Sequence, residues 1–459
     1  MFNKQKMLKQ AMKKNRIRLS ATQIIAVVFA AIILAGAGLL ALPAASRSGV
    51  SCGFFPALFT ATSATCVTGL VLFDTYTQWS LFGQIVIITL IEIGGLGFMS
   101  AASTVVFLLH KKVGLRQRMV IAQALNLSDM DGVVRIQKLV LTGSLSVQGI
   151  GALILLLRFW PQYGFSRALG WGVFHSISAF CNAGFDLFGY LAPGQSVMMF
   201  QDDPIVCLTL MALVTIGGLG FLVWEEMARV RKFKNFSVYA KLVLLMTAGV
   251  LLVGTCVILA LEWNNPLTLG PMPVWQKILN AFFQTGTLRT AGFVTLDQMA
   301  LQDATKVFSI FIMFIGGSSG STAGGLKTVT VLVLILFIWA KARGKETVHV
   351  FKRNIPQAKA VDAMTIVSIT VFLSLLGGVV ITTVAPVSFL DAWYEAVSAI
   401  CTVGLSAGGT ANLGMIAQSV IIVFMYFGRV GILTLSLGFL MGNRAKDRFQ
   451  YADTNLLIG

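Results

Sequence analysis

Charged residues are scarce in this chain. They make up 12% of its 459 residues, which is about half their share in a soluble domain. In contrast, 56% of the residues are hydrophobic and the mean hydropathy is +0.82. These values exclude an ordinary soluble protein and indicate an integral membrane protein.

Cysteine and histidine are also few, which limits the chemistry that the chain can carry. The six cysteines stand singly, without the paired spacing of a zinc site or a disulfide framework. The three histidines have no metal-ligand or catalytic spacing, so a membrane-embedded enzyme is disfavoured. These residues are Cys52, Cys66, Cys181, Cys207, Cys256 and Cys401, and His110, His175 and His349.

The apolar runs approach the roughly 20 residues that a spanning helix needs. A β-barrel would instead show alternating segments of about ten residues, so we predict an α-helical membrane protein. Residues 24–42 form a run too long for the apolar part of a usual signal peptide, and we expect a retained first span there.

The net charge of +17 comes mainly from five short basic segments. Residues 1–20, 110–138, 229–241, 341–359 and 444–448 hold seven, six, five, six and three Lys or Arg residues. This is the pattern of cytoplasmic loops beside anionic lipid headgroups. We therefore predict cytoplasmic N- and C-termini and no nucleic-acid partner.

The four apolar stretches between these segments share a repeated pattern. Gly69, Gly184, Gly292 and Gly404 are spaced by 115, 108 and 112 residues, and a second glycine follows each after 25, 33, 24 and 24 residues. Agreement at one period in four places is the signature of an internal repeat. The paired motifs are TATSATCVTGL (60–70) with EIGGLGF (92–98), HSISAFCNAGF (175–185) with TIGGLGF (215–221), QTGTLRTAGF (284–293) with FIGGSSG (314–320), and VSAICTVGL (397–405) with YFGRVGI (426–432).

Each repeat is predicted to contain a span, a short amphipathic helix, a loop ending in the first glycine, and a second span. The short segment, about a dozen residues, cannot cross a bilayer and is interpreted as a re-entrant pore helix. The predicted fold is thus an all-α membrane protein with eight spans and four pore loops around one axis. The divisions are a basic N-terminus (1–19), repeat one (20–110), repeat two with a basic linker (111–231), repeat three with a broken second helix (232–345), repeat four (346–445) and a C-terminal tail (446–459).

The four loops are the predicted ion-binding site. The C-terminus of each pore helix carries unpaired carbonyls and a partial negative charge, and the loops contain no carboxylate. Backbone oxygens can then replace the hydration shell of a monovalent cation, and glycine permits the torsions that this needs. The alternative role for one such glycine is a tight turn or close helix contact, which we favour for the GGLGF copies. The predicted filter residues are Val67, Thr68 and Gly69; Asn182, Ala183 and Gly184; Thr290, Ala291 and Gly292; and Thr402, Val403 and Gly404.

These loops, together with GGSSGSTAGGLKT (316–328), resemble the Trk/Ktr/HKT superfamily of potassium transporters over residues 20–445. The compact eight-span form is most similar to the Ktr membrane subunit. The resemblance implies potassium uptake through a filter at the four loops, in the bacterial plasma membrane. It also implies a homodimer and a cytoplasmic ring of nucleotide-binding regulatory subunits, with no covalent cofactor and any nucleotide on the partner only.

Ion preference follows from one position. Some plant members of the superfamily carry serine at the first filter glycine and favour sodium, whereas this chain has Gly69. Potassium is therefore the expected ion. Only repeat four has a Thr-Val-Gly triplet, so exclusion of sodium need not be strict, and sodium as an activator stays open.

Two basic residues stand in apolar surroundings. Arg429 lies mid-span, where an unpaired charge costs at least about 2.5–3.5 kcal/mol, and we predict that it faces the pore as a barrier to cations. Lys327 is predicted as a second barrier or as a cytoplasmic anchor, and Glu92 could pair with either base. Eight acids near predicted outer loops would attract cations to the mouth: Asp74, Asp186, Asp202, Asp203, Asp297, Asp303, Asp391 and Glu395.

The second span of repeat three is interrupted by ten small residues. Glycines as hinges and hydroxyls that satisfy the freed backbone indicate a movable gate below the filter, and a static kink is the alternative. The segment is not a phosphate-binding loop, because Leu326 separates Gly325 from Lys327. The predicted gate is Gly316, Gly317, Ser318, Ser319, Gly320, Ser321, Thr322, Ala323, Gly324 and Gly325.

A carrier with alternating access is the main rival to a channel-like pore. Repeats and broken helices occur in carriers too, and a cation-coupled sodium/potassium symporter would fit the same composition. Four repeats of one orientation favour the pore. Coupled stoichiometry in a flux assay would favour the carrier.

Overall fold

The computed structural model describes residues 21–97, 133–230, 232–345 and 347–431. The predicted basic N-terminus (1–19), the tail (446–459) and the linker at 111–132 lie outside these residues. Helices of ten residues or more are numbered here in chain order. They are α1 (Ala21–Leu40), α2 (Phe54–Cys66), α3 (Leu81–Leu96), α4 (Val133–Tyr163), α5 (Phe165–Phe180), α6 (Pro204–Leu219), α7 (Phe221–Val230), α8 (Val238–Glu262), α9 (Val274–Thr287), α10 (Asp303–Met313), α11 (Thr328–Ala342), α12 (Gln357–Val384), α13 (Phe389–Ile400) and α14 (Gly414–Val430).

The shorter elements lie in the connections. A single helical turn spans Thr75–Gln78, and 3-10 turns span Pro43–Ala45, Phe188–Tyr190, Ser196–Phe200, Phe233–Asn235 and Thr410–Asn412. Strands β1 (Val348–Val350) and β2 (Arg353–Ile355) form an antiparallel hairpin between α11 and α12. The predicted helical fold is confirmed for the described residues apart from this hairpin, whose turn residues Phe351 and Lys352 have positive φ.

Four helices are long and apolar enough to cross a membrane, by length and composition. They are α1, α4, α8 and α12, each at a predicted first span. The pair α6 and α7 also qualifies if it is one span, although it bends by 93° at Gly220. Because these values cover only the described residues, the count of eight spans stays a prediction.

A shorter helix of 12 to 16 residues follows each long one. Each long helix packs against the shorter helix after it, in the pairs α1–α2, α4–α5, α8–α9 and α12–α13. We call each long helix, the shorter helix after it and the helix that follows the glycine loop a quarter of the chain. The helix after each glycine loop packs against the short helix of the following quarter, in the pairs α3–α5, α6–α9 and α10–α13. Helix α14 returns to α2, so the four quarters close into a ring.

Three of the helices that follow the glycine loops end at a glycine of positive φ. These are Gly97 after α3, Gly220 after α6 and Gly431 after α14, with φ of 82°, 93° and 96°. The sequence predicted a break only in repeat three, where α10 ends at Met313 and α11 begins at Thr328. The 93° bend at Gly220 therefore corrects the unbroken second span predicted for repeat two.

One carboxylate is fully buried at the C-terminus of α8. Glu262 accepts hydrogen bonds from the Asn265 amide and the Thr268 hydroxyl, both at 2.6 Å, and from the Gln302 N–H at 3.0 Å. The Thr305 hydroxyl donates as well. This carboxylate joins α8, the loop after it and the start of α10 without a cationic partner among the described residues.

Replacing Glu262 by alanine tests this network. The substitution leaves four donors without an acceptor, and each buried unpaired group costs about 1–3 kcal/mol. We expect the free energy of unfolding to fall by about 3 kcal/mol or more, measured as a lower Tm in detergent. Asp362→Ala is the control, because that carboxylate is 60% exposed with one ion pair at 3.7 Å. Equal Tm values for both variants would contradict the role given to Glu262.

Candidate functional site

The four predicted glycine loops meet at the centre of the ring of helices. Each loop follows a short helix (α2, α5, α9 or α13), and its glycine lies against the backbone of the next loop. We refer to these glycines as the glycine ring. A Cβ added at Gly69 would lie 2.6 Å from the Ala183 carbonyl oxygen, at Gly184 2.8 Å from that of Ala291, at Gly292 3.0 Å from that of Val403, and at Gly404 2.1 Å from that of Thr68.

The backbone of each loop alternates in handedness. The ring glycines have φ of 97°, 69°, 79° and 93°. Two residues before each glycine, a non-glycine residue is left-handed: Val67 (φ 56°), Asn182 (60°), Thr290 (63°) and Thr402 (51°). Three of these four are β-branched, for which this conformation is strained. Strain of this kind persists where function requires it.

Hydrogen bonds to the short helices orient the first carbonyl of each triplet. In each loop the N–H of the second residue donates back to a helix carbonyl. Because the C=O and N–H of a trans peptide point in opposite directions, the carbonyl of the first residue points away from the helix. The bonds are Thr68 to Ser63 (2.9 Å), Ala183 to Ser178 (2.8 Å), Ala291 to Thr287 (3.0 Å) and Val403 to Ser398 (2.7 Å).

A cavity of about 360 Å³ opens on one side of the glycine ring. All four ring glycines line it, together with Asp74, Asp186 and Asp297. Burial, and then the neighbouring Asp74 carboxylate, raise the pKa of Asp186 to about 7. Near neutral pH this group is only partly charged, and a cation in the cavity would favour its charged form.

Three of the other predicted outer acids have ion-pair or hydrogen-bond partners away from this cavity's acidic lining. Asp203 pairs with Arg158 and Asp391 pairs with Lys306, both at 2.7 Å. Glu395 is fully buried and accepts the Thr410 hydroxyl at 2.9 Å. These three carboxylates hold local structure, so the acidic lining of the cavity comes from Asp74, Asp186 and Asp297.

The predicted gate segment, 316–325, lies against the opposite end of the triplets. The Thr322 hydroxyl donates to the Phe180 carbonyl at 2.9 Å and contacts Asn182 Oδ1 at 3.0 Å. A Cβ added at Gly324 would lie 1.9 Å from Thr402 Oγ1. Because Asn182 and Thr402 begin their triplets while the glycines line the cavity, the segment and the cavity lie on opposite sides of the ring.

Backbone hydrogen bonds tie the gate segment to the end of α6. Ser318 N–H and Thr322 N–H donate to the carbonyls of Gly218 (3.0 Å) and Gly217 (3.2 Å). A third bond forms at the bend after α6, where the Phe221 N–H donates to the Gly320 carbonyl at 2.8 Å. The segment is thus held by backbone contacts with the neighbouring quarter.

Arg429 connects the gate segment to α3. Its Nη1 donates to the Thr322 carbonyl at 2.5 Å, and its Nη2 donates to the carbonyls of Gly95, at 3.1 Å, and Gly94. These glycines lie at the C-terminus of α3, where the helix dipole favours a cation. Lys327 donates to the Ala323 carbonyl at 3.0 Å.

The predicted pairing of Glu92 with one of these bases is wrong. Glu92 accepts from Gln148 Nε2 at 3.0 Å and from the Cys181 thiol at 3.3 Å. Neither Arg429 nor Lys327 has a carboxylate within 4.0 Å among the described residues. Among the described residues, the hydrogen-bond partners of both side chains are therefore backbone carbonyls.

Two features of the site were missed in the sequence. Arg289 is buried behind the glycine ring and donates to Thr247 Oγ1 and the Gly316 carbonyl, both at 3.4 Å. The signal was present, because Arg289 stands three residues before its ring glycine, where the other quarters have cysteine. Hydroxyls in the short helices, including Ser63 and Ser398, also contact the loops. They stand six residues before their glycines.

Comparison with known proteins places this geometry in a family. The profile described as "TrkH: Cation transport protein" matches residues 1–446. The chain belongs to the TrkH family of cation transport proteins. It is similar to the potassium/sodium uptake protein NtpJ of Enterococcus hirae, with 39% identity covering 97% of this chain and 99% of that protein. The Ktr system potassium uptake protein B of Bacillus subtilis is also 39% identical, covering 96% and 98%.

The structural comparison agrees on the fold of this TrkH-family chain. The crystal structure of the potassium transporter TrkH from Vibrio parahaemolyticus superposes with a TM-score of 0.70. That alignment covers 93% of this chain and 86% of the other, at 20% sequence identity. The family fold is therefore retained although four residues in five differ.

The glycines of the predicted second spans allow close packing behind the ring. A Cβ added at Gly94 would lie 2.0 Å from the Thr65 carbonyl oxygen, one at Gly217 2.0 Å from that of Phe180, and one at Gly428 2.2 Å from that of Ile400. Each of these carbonyls belongs to the last turn of a short helix. The glycines thus let α3, α6 and α14 approach the backbone that supports the glycine ring.

We predict that Gly428→Ala destabilises the protein. The added methyl group meets a backbone oxygen that cannot rotate away, so the free energy of unfolding should fall by about 1–3 kcal/mol. Gly249→Ala in α8 is the matched control, because an added Cβ there has no neighbour within 4 Å. The control should keep or slightly raise the Tm. A Gly428→Ala variant as stable as this control would show that the contact is loose.

Proposed function

We propose that this chain takes up potassium through a central pore in which the glycine ring is the selectivity filter. The observation that carries the proposal is the convergence of four triplets with alternating handedness on one ring, each ending in a glycine that lies against a carbonyl of the next loop. Carbonyl rings of this kind can replace the hydration shell of potassium. The relatives named above are potassium or potassium/sodium uptake proteins.

Charge around the ring supports a cation pathway. The four short helices end at the loops, so the negative ends of their dipoles point towards the ring. The carboxylates of Asp74, Asp186 and Asp297 line the cavity on one side and would concentrate cations there. The hydroxyls of Thr68, Thr290 and Thr402 are buried without a hydrogen-bond partner among the described residues, which suits a polar path for an ion.

The topology that goes with this function has eight spans and four re-entrant pore helices in the bacterial plasma membrane. The acidic cavity then faces outwards and the basic loops and both termini face the cytoplasm. The positions of the long and short helices support this arrangement. The bend at Gly220 is compatible with it, because broken helices are tolerated where they line a cavity.

Residues 316–325 are proposed to close the pore below the filter. The segment is held by hydrogen bonds to the backbone at Gly217 and Gly218 and by the Arg429 guanidinium. Arg429 and Lys327 place two positive charges beside it, where they would repel a cation. Opening requires two changes. The segment must break its hydrogen bonds to the carbonyls of α6, and Arg429 must release the Thr322 carbonyl.

Regulation would come from partners outside this chain. We propose a cytoplasmic nucleotide-binding regulatory ring and a homodimer of membrane subunits, as the resemblance to the Ktr membrane subunit implies; two relatives are named as proteins of a Ktr system. Any nucleotide would then bind the partner, and sodium could act as an activator. The basic segments near the membrane surface also suit contact with anionic lipid.

A cation-coupled carrier is the second candidate. The name of the Enterococcus hirae relative, which includes sodium, and the bent α6–α7 pair favour it. Uptake driven by a sodium gradient with fixed stoichiometry would support the carrier, whereas potassium flux that follows its own electrochemical gradient supports the pore.

Serine at ring positions tests the filter assignment. In Gly69→Ser, Gly292→Ser and Gly404→Ser the new side chain meets a neighbouring carbonyl at a φ that L-residues rarely adopt. We expect each to lower the apparent potassium affinity at least about tenfold, measured by uptake in a bacterium that lacks its own potassium transporters. Gly49→Ser is the control for backbone strain, because Gly49 has φ 73° with no neighbour within 4 Å.

The filter assignment would be wrong if all three ring variants kept wild-type uptake and ion preference. Uptake that falls equally in Gly49→Ser would assign the effect to folding. Membrane abundance of each variant, measured by immunoblot, separates expression from transport.

Substitution of Arg429 tests the gate. Arg429→Ala removes a positive charge beside the pore and the hydrogen bond to Thr322, so the resting potassium flux in proteoliposomes should rise about fivefold or more. Arg429→Lys keeps the charge but cannot bridge Thr322 and Gly95 together, so its flux should lie between that of the wild type and that of Arg429→Ala. Unchanged potassium flux in both variants would show that Arg429 is not part of the barrier to cations.

A further inference from the structure

Two serines in the short helices hold the glycine ring directly. Ser63 Oγ accepts the N–H of Gly69, and Ser398 Oγ accepts the N–H of Gly404, each at 3.1 Å. Both side chains are fully buried. The serines occupy the same place in quarters one and four, six residues before the glycine.

These bonds determine where two further carbonyls point. The N–H of Gly69 and the C=O of Thr68 belong to one trans peptide, so holding the N–H back against α2 directs the C=O the other way. The same holds for Gly404 and Val403. The Thr68 oxygen indeed lies beside Gly404, within 2.1 Å of where a Cβ would stand, and the Val403 oxygen lies beside Gly292. Both oxygens are therefore in the ring.

Quarters two and three use their hydroxyls differently. Ser178 and Thr287 donate to the carbonyls of Phe185 and Phe293, the residues after the ring glycines, both at 2.7 Å. Across the described part of the chain, the N–H groups of Gly184 and Gly292 make no hydrogen bond. The peptide groups that carry the Ala183 and Ala291 carbonyls therefore have no such anchor at their glycine end.

We propose that Ser63 and Ser398 are positioning residues that set the preference for potassium over sodium, by holding the Thr68 and Val403 carbonyls in place in the ring so that they cannot move closer together. This rests on the proposed function of the ring as a filter. Sodium is smaller than potassium, so carbonyls must move closer together to replace its hydration shell. Two anchored carbonyls in adjacent quarters resist that movement, while the unanchored pair at Ala183 and Ala291 adapts to the passing ion.

The experiment measures the ratio of potassium to sodium uptake in proteoliposomes for Ser63→Ala, Ser398→Ala and the double variant. Loss of one hydrogen bond should lower the ratio about fivefold while potassium uptake continues. The ratio of potassium to sodium uptake should fall further in the double variant, because the two anchored loops touch at Gly404. Ser178→Ala is the matched control, since it deletes an equally buried hydroxyl that holds a carbonyl outside the ring, and its ratio should equal that of the wild type.

Ser63→Cys guards against a folding defect, because the thiol has nearly the same size but is a weak acceptor. Its ratio should also fall. An unchanged ratio in every Ser63 and Ser398 variant that retains uptake overturns the inference, as does an equal fall in Ser178→Ala. A wild-type protein that takes up no potassium, or takes up potassium and sodium alike, would instead contradict the proposed function.

Discussion

The structure depends on one constraint, the contact of backbone with backbone around the glycine ring. Each ring glycine lies where a side chain would meet the carbonyl of the next loop, and each has a positive φ. A site built in this way presents oxygen atoms without carboxylates, so it can strip water from a monovalent cation without holding it too strongly to release it. The short helices, their hydroxyls and the glycines of α3, α6 and α14 all serve to keep four chain segments this close.

The same closeness explains why the gate segment has its composition. Between the triplets and α6 there is room for backbone and small side chains only, as the contacts of Gly317 with Ala323 and of Gly324 with Thr402 show. Its N–H groups at Ser318 and Thr322 donate to carbonyls of a neighbouring quarter, while its carbonyls at Gly316, Thr322 and Ala323 accept from Arg289, Arg429 and Lys327. In the proposed gate, opening would exchange the backbone bonds for water, and the basic side chains would have to find other acceptors.

Much of this site was predictable because the repeat supplies four independent copies of each signal. The register of Gly69, Gly184, Gly292 and Gly404 singled out the four loops that meet in the structure. The loss of the GGLGF pattern after residue 316 singled out residues 316–325, whose role as a gate stays a prediction. The left-handed torsions of Val67, Thr290 and Thr402 were not predictable, since β-branched residues disfavour them and only packing imposes them. The bend at Gly220 and the positive φ of Gly97 and Gly431 were missed because the apolar run continues through these glycines. Glu92 was assigned a charged partner, but Gln148 and a thiol satisfied it.

The two faces of the ring differ in how their charges are balanced. On the cavity side, burial and then the neighbouring Asp74 carboxylate raise the pKa of Asp186, so a cation in the cavity would offset both effects and be favoured there. On the other side, Arg429 and Lys327 have backbone carbonyls and no carboxylate as partners among the described residues, so in the proposed pore the Arg429 guanidinium would repel a cation there. In the proposed pore a cation is thus stabilised in the acidic cavity and meets a barrier where the guanidinium lies between α3 and the gate segment. Fixed charges of this kind act on ions moving in either direction, so the electrochemical gradient of potassium sets the direction of net uptake and the charges set how easily an ion passes.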